Sequence, residues 1–446
     1  MKINIAWLPL AKASWLDNRV NEVFEHTQKI LGSLSNTIIA PKQVITSEEE
    51  AAAAAQLFTE KKADVIIVQA ITFSLGSIIP AVTRICRAPI ILWSMPEPPM
   101  HGGRIKANSF CSANLNSYIL KRMGKKYFYL YADLQQITEK LTPLLTAVSA
   151  KKYLCGLKIG MAGSRVPGFY TSNYRELPLA ANFGITVQNI ELLEIKNEAD
   201  HIGKKDHENA LKEINSASSV NKASQEEAEK GADLLCAFRA LAGKYSLQAF
   251  AVKCWPEFGD LFGLAICSTL GMLTESGITA GCEGDMYGTV SMLLGGYLSP
   301  NKPMFCDLIS YDEQNNEGII WHCGAAAPSL ACPGAEKILS KHSIMDGGGI
   351  KGLTNEFPCK GGPITILRLT DDGEGFKMLC IRAEGLETGQ IICGNPLKVK
   401  FFSPVSKIIG SIMDEGIEHH YAAAYGDISE SLAFWCRLNN VRLINF

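Results

Sequence analysis

Two carboxylates stand at i and i+2 in the stretch Gly281-Cys282-Glu283-Gly284-Asp285-Met286-Tyr287-Gly288, flanked by apolar runs that belong in a core. A buried carboxylate is costly unless it pairs, hydrogen-bonds or binds a cation. Asp285 has an ordinary explanation, because it precedes an apolar helical run and can cap its N-terminus. Glu283 has none. Asp307 raises the same question by interrupting the apolar strand Met304–Ile309 (MFCDLI). His322 follows the strand pattern Gly318–Trp321, and His419-His420 follow a helix end at Gly416. A lone histidine is usually a structural residue. Here, however, the chain has only eight, and three sit at element ends in the same half as the unexplained acids. Oxygen donors with an imidazole suit Mn²⁺, Mg²⁺ or Co²⁺ better than a structural zinc, which prefers thiolates and several imidazoles.

These residues must be held by elements that the pattern of the chain outlines. Up to residue 150, apolar β-rich runs (Ile3–Leu10, Asn36–Ile39, Ala63–Ala70, Pro89–Trp93, Tyr127–Ala132) alternate with helical stretches. One helix start is explicit: Ser47 and Glu50 form a Ser-x-x-Glu capping box before Ala51–Ala55. Strands separated by helices imply right-handed crossovers and a mostly parallel sheet. A second α/β unit is expected over 151–300, with strands Leu157–Ser164, Ile185–Leu193 and Ala249–Trp255. Its helices are Leu261–Glu275, Met286–Leu294 and a charged helical stretch 198–230 broken near Ser216–Val220. The breaker-rich Gly295–Pro303 marks a boundary. Beyond it, over 301–446, short strands dominate: Met304–Ser310, Gly318–Cys323, Ile364–Leu369, Phe376–Arg382 and Leu397–Phe402. Helices close the chain near Ser406–Glu415 and Ser429–Asn439. The fold class is therefore two Rossmann-like parallel-sheet α/β domains followed by a β-rich C-terminal domain.

Composition narrows the partners. The 43 basic and 45 acidic residues nearly cancel and form no basic stripe, so nucleic acid and anionic membranes are not expected partners. No uncharged apolar run reaches the roughly 18 residues of a membrane span. The start MKINIAWLPL lacks a signal-peptide pattern, which leads to an expected cytoplasmic location. The fourteen cysteines include no Cys-x-x-Cys pair, and many lie in apolar runs, where a thiol behaves as a small hydrophobe. Gly347, Gly349 and Gly352 satisfy G-x-G-x-x-G by letter, but no strand–helix context surrounds them, so a dinucleotide site is not expected.

The stretch Glu283–Gly288 (E-x-D-x-x-G), followed by the apolar Val290–Leu294, resembles the segment of the L-fucose isomerase family that carries its first metal-binding glutamate. L-arabinose isomerases are a more distant likeness. The family's second ligand is an aspartate in a short apolar strand ~24 residues on, which lands on Asp307. Its third is a histidine followed six residues later by glycine, which His420 and Gly426 match. Further islands of likeness are Leu157–Ser164, Ile319–Ala327, Gly347–Gly349 and Gly361–Thr365. The chain departs from L-fucose isomerases in its length and at His322-Cys323-Gly324. L-arabinose isomerases carry a fourth ligand in that region, which makes His322 the candidate for one here.

The resemblance implies a metal-dependent aldose–ketose isomerase with Mn²⁺ (or Mg²⁺ or Co²⁺) held by Glu283, Asp307 and His420. The ion would chelate the C1 and C2 oxygens of an open-chain sugar and stabilise an enediolate, with Glu283 and Asp307 as acid–base partners. Lys253, Trp255, His419 and Gly348 would shape the sugar site. The family also implies a homo-oligomer, trimer or hexamer, whose N-terminal domain (1–150) covers a neighbour's pocket through loops such as His101–Arg104. Two alternatives accompany this reading. One is isomerisation of an acidic sugar such as sulfoquinovose, which needs a cation from Lys253, Arg104 or Arg165. The other is a sugar-binding protein of the same fold without turnover.

Overall fold

Every residue of Ile5–Leu10, Val65–Ala70 and Ile90–Ser94 is buried. Strands covered on both faces belong inside a parallel sheet flanked by helices. The computed structural model describes residues 1–34, 36–343 and 352–446. In it, β1 (Asn4–Leu10), β2 (Thr37–Ile39), β3 (Val65–Ala70), β4 (Ile90–Ser94) and β5 (Tyr127–Tyr131) form a sheet of order β2-β1-β3-β4-β5, parallel throughout. The helix Glu48–Glu60 begins at the expected capping box. The Glu50 amide donates to Ser47 Oγ, and the Glu50 carboxylate accepts from the Ser47 amide. These elements make up one compact unit, Met1–Tyr153.

The second compact unit, Leu154–Phe446, contains both a parallel sheet and a barrel. Strands β6 (Lys158–Ala162) and β7 (Thr186–Ile190) are followed by the two-residue β8 (Val220–Asn221), which leaves for a small separate sheet. Strands β9 (Ala249–Val252) and β10 (Thr279–Gly281) complete a parallel sheet of order β10-β9-β6-β7.

The antiparallel part follows. Its strands are β11 (Met304–Asp312), β12 (Glu317–Trp321), β13 (Ile338–Ser340), β14 (Thr354–Glu356), β15 (Gly362–Asp371), β16 (Phe376–Leu386), β17 (Leu397–Phe401), β18 (His420–Tyr425) and β19 (Arg442–Asn445). Six of them, β15-β18-β11-β12-β17-β16, close into a barrel because β16 also pairs with β15; β19 attaches in parallel to β16. Strands β14 and β13 join β8 in the small sheet.

The barrel's pleat decides which side chains face the site. Met304, Cys306, Ile364, Ile366, Tyr421 and Ala423 share one apolar core with Ile408 and Ile412 of the helix Val405–Glu415. Side chains alternate along a strand, so Phe305, Asp307, His420, Ala422 and Ala424 turn to the outer face. There they meet the helix Met286–Leu298. A Cβ on Gly288 would lie 2.7 Å from the Phe305 ring, and one on Gly295 would lie 3.2 Å from Ala424 Cβ.

Several expected bounds move for local reasons. The strand Ile185–Leu193 stops at Ile190, since Leu192–Ala199 is helical. The expected helix Leu261–Glu275 is two, Glu257–Phe262 and Cys267–Ser276, because Gly263 takes φ +61° and caps the first. The break near Ser216–Val220 is occupied by β8, which needs a partner distant in sequence, β13. Strands β8, β10, β13, β14, β18 and β19 were not expected, and neither was barrel closure. Gly348 and its neighbours Gly347 and Gly349 lie outside the described residues. None of the described helices is long and apolar enough to cross a membrane.

Candidate active site

The parallel strands β6, β9 and β10 end side by side, the place where open α/β sheets bind ligands. Beyond β10 the chain turns at once into the helix Met286–Leu298. Glu283 and Gly284 make that turn with φ +59° and +66°. A left-handed glutamate is strained, and such strain collects at functional positions. Gly284 has no alternative, because a Cβ there would sit 2.4 Å from the Ser164 carbonyl and 3.0 Å from Arg165 Cα. The turn therefore presses against the loop that follows β6.

Asp307 and His420 come from the barrel. They are directly opposed in the antiparallel β11–β18 register, with both side chains on the same outer face. His420 is 1% exposed and stands between three carboxylates. Its Nε2 lies 2.7 Å from Glu283 Oε2 and 3.8 Å from Asp307 Oδ1, while Nδ1 is 2.9 Å from Asp285 Oδ2. Trp255 Nε1, at the end of β9, donates to Glu283 Oε1 at 3.0 Å. His419 is exposed, yet one nitrogen lies within 4.8 Å of donor atoms on both Glu283 and His420. Phe169 closes one side, with its ring 5.6 Å from Trp255 and 5.7 Å from His419.

The site's electrostatics follow from this packing. Burial works to lower the His420 pKa, but the hydrogen bonds to Asp285 and Glu283 outweigh it and push it up to about 9. Burial would raise Glu283, yet the hydrogen bond and charge of His420 bring it below the usual carboxylate range. Asp307 moves the other way: burial raises its pKa, and Oδ1 is a buried oxygen without a hydrogen-bond partner.

Asp285 does two jobs. Its Oδ1 accepts from the Gly288 amide at 2.8 Å, the helix cap expected of it. Its Oδ2 accepts from His420 and from Arg368 Nη1, the latter at 2.5 Å. Arg368, on β15, is fully buried and also reaches Glu418 at 3.3 Å. Burial opposes the charged form of Asp285, but Arg368 and His420 hold its carboxyl far below the usual range. Sequence reasoning gave Asp285 only the cap and missed Arg368. The available signal was an arginine inside the apolar run Ile364–Leu369 (ITILRL), the same kind of anomaly that singled out Asp307.

The remaining expected residues are placed as follows. Lys253, at the end of β9, is buried with Nζ paired to Glu257, so its charge is already neutralised. His322 turns Nδ1 toward Cys323 Sγ at 3.5 Å, and its ring lies 5.2 Å from Phe305, which stands 4.9 Å from His420 on its other side. The donors grouped within 4.8 Å of Glu283 are those of His419 and His420; neither His322 nor Asp307 is among them, although Asp307 stands 3.8 Å from His420. Arg165, beside the Gly284 turn, lays its guanidinium 4.9 Å from the Tyr170 ring centroid and has no carboxylate partner among the described residues.

The residues present fit a divalent cation. Two carboxylates converge on one imidazole nitrogen, which gives a hard oxygen-rich donor set whose two negative charges match a dication. Asp307 Oδ1, buried without a hydrogen bond among the described residues, supplies a further acceptor beside that nitrogen. His420 donates its second ring nitrogen's proton to Asp285, the arrangement that fixes the tautomer of a metal-binding histidine.

No known family model matches the chain. Relatives match it end to end: the sulfoquinovose isomerase of Priestia aryabhattai is 28% identical over 98% of both chains. That of Alkalicoccus urumqiensis is 29% identical over 99% of both, and that of Clostridium sp. 26% over 96% of both. The likeness thus covers the N-terminal unit as well, and these relatives are named for a sugar other than fucose or arabinose. The chain is an isomerase.

Proposed function

We propose that the chain is a divalent-metal-dependent aldose–ketose isomerase acting on an open-chain sulfonated sugar of the sulfoquinovose kind. The observation that carries this reading is the convergence of Glu283 Oε2 and Asp307 Oδ1 on Nε2 of His420, outside the carboxyl ends of parallel strands. Full-length similarity to sulfoquinovose isomerases supports the substrate class.

Glu283, Asp307 and His420 hold the ion, with His419 beside them. When bound, it supplies Lewis-acid polarisation of two adjacent sugar oxygens. Asp307 is suited to carry the proton between C2 and C1, because its Oδ1 is a buried acceptor without a hydrogen bond among the described residues. Glu283 is held ionised by His420 and oriented by Trp255, so it serves the oxygens. Phe169 and Trp255 give the sugar an apolar wall and exclude water. Arg165, a cation beside this site without an acidic partner among the described residues, offers the sulfonate a charge-assisted contact. Lys253 is committed to Glu257, so it does not carry this assignment.

The test is turnover of sulfoquinovose, fucose and arabinose by protein loaded with Mn²⁺ in deuterated water. Ketose formation and deuterium at C1 are read by NMR. The reading predicts conversion of the sulfonated aldose that chelator abolishes. It fails if no aldose turns over, or if chelator leaves the rate unchanged.

A further inference from the structure

A second group of donors, soft rather than hard, shares no residue with the first. Cys267 is the first residue of the helix Cys267–Ser276, Cys323 comes two residues after β12, and His342 two residues after β13. One donor atom from each lies within 4.8 Å of the other two. The two sulfurs are 3.7 Å apart. That separation is too long for a disulfide. Two thiolates each about 2.3 Å from a tetrahedral zinc ion would be about 3.8 Å apart.

The backbone brings these donors together deliberately. Gly352 bridges to Ala265 just ahead of the Cys267 helix, and a Cβ on it would lie 2.8 Å from Ala265 Cβ and 3.1 Å from the backbone nitrogen of His342. Gly324, after Cys323, takes φ +122° with Thr354 packed against it. Cys267 is buried, whereas Cys323 and His342 are half-buried, which leaves a side open to an entering ion.

We propose that Cys267, Cys323 and His342 form a thiolate-rich site for a borderline-soft divalent cation such as Zn²⁺, independent of the carboxylate site. Two thiolates and a neutral imidazole cancel the ion's charge, so the filled site is neutral where a lone charge would be costly. Two thiols release their protons to solvent as the ion binds: Zn²⁺ + 2 RSH + His gives the Zn(SR)₂(His) site and 2 H⁺. The fourth position falls to solvent. The ion ties the helix after β9, the exit of the barrel strand β12 and the small sheet together. Its role is stability of the scaffold. The donor chemistry separates the two sites, since manganese favours oxygen and zinc favours sulfur.

The experiment uses the full chain, reduced, stripped of metal and titrated with Co²⁺, whose bonds to thiolate give a near-ultraviolet charge-transfer band that carboxylate and imidazole ligands do not. Glu283→Gln should develop the band at one equivalent, and wild type by two, since the carboxylate site also takes Co²⁺. Cys323→Ser should lose it, and His342→Gln should weaken Co²⁺ binding at this site at least tenfold. Zn²⁺ should raise the melting temperature of Glu283→Gln but not of the Glu283→Gln/His342→Gln double variant. Absence of the band in reduced wild type, its survival in Cys323→Ser, or a Cys267–Cys323 disulfide by intact mass in freshly isolated protein overturns the proposal. Loss of isomerase activity in Glu283→Gln with the band retained bears on the carboxylate site alone.

Discussion

Asp285 Oδ2 accepts hydrogen bonds from both His420 Nδ1 and Arg368 Nη1, so a fully buried arginine fixes the imidazole that faces Glu283 and Asp307. Asp285→Asn breaks this chain at its middle. Arg368 keeps its ion pair with Glu418 and its contact to the Thr171 carbonyl, but removing one charged partner of a buried network costs about 3–5 kcal/mol. The expected outcome is a lower melting temperature together with Mn²⁺ affinity reduced roughly 10–100-fold. Calorimetric titration on the folded variant separates the two effects. Unchanged affinity would show that Asp285 acts only as a helix cap.

Removing the ligands should act differently. Glu283→Gln and Asp307→Asn should each lose turnover by at least about 1000-fold, given that each is asked to ligate and to handle protons. Asp307→Asn should fold at least as stably as the parent in the absence of metal, because it replaces an acid whose burial outweighs the nearby histidine charges and whose Oδ1 makes no hydrogen bond among the described residues. Paired activity and thermal melts check this; a large loss of stability in Asp307→Asn would contradict it.

Metal binding should depend on pH through His420. Its folded pKa, about 9, lies above the ordinary 6.5. Without metal, the protonated ring stabilises the fold fully below about pH 6.5, and this contribution is lost as pH rises through about 9. An ion on Nε2 must displace that proton, so Mn²⁺ affinity should rise by roughly tenfold per pH unit toward pH 9 and then level off. Titrations at several pH values, with proton release measured in two buffers, read the slope. A flat profile would show that Nε2 is not a ligand.

Arg165→Ala should raise KM for the sulfonated sugar and lower kcat/KM by roughly 10–100-fold, the worth of a charge-assisted contact. A neutral aldose that the enzyme accepts should be unaffected. Equal losses on both substrates would place Arg165 elsewhere in the mechanism.

Gly284→Ala tests the close approach of the two turns. The new methyl group must displace the Ser164 carbonyl, and the positive φ adds strain, together about 1–3 kcal/mol. Because the shift moves Glu283 itself, activity should fall further than the melting temperature implies.

The acids of this site were legible because each violates a local pattern: Glu283 and Asp307 are charges among apolar neighbours. The capping box at Ser47 was legible for the same reason, since all its groups lie within four residues. His420 could be preferred to His419 only through its spacing to Gly426. The pleat supplies the physical reason, because His420 opens β18 and shares a face with Asp307. That pairing joins residues far apart in the chain, and alternation reveals a strand's faces but not its neighbour. The barrel's closure was hidden for the same reason. Arg368 shows a bias of another kind: the search for misplaced charge was applied to acids and not to bases.

The closed barrel bears on how such a chain can diverge. In an open sheet one strand can creep past the next, and a single step would turn Asp307 or His420 to the wrong face. In a ring, that creep must be absorbed by all six strands in concert, so small increments of drift are unavailable. Side chains on the rim and in the connecting turns are then free to vary, while Asp307 and His420 stay opposed in register. The hoop works as a gauge block: it keeps one spacing constant while everything mounted on it changes.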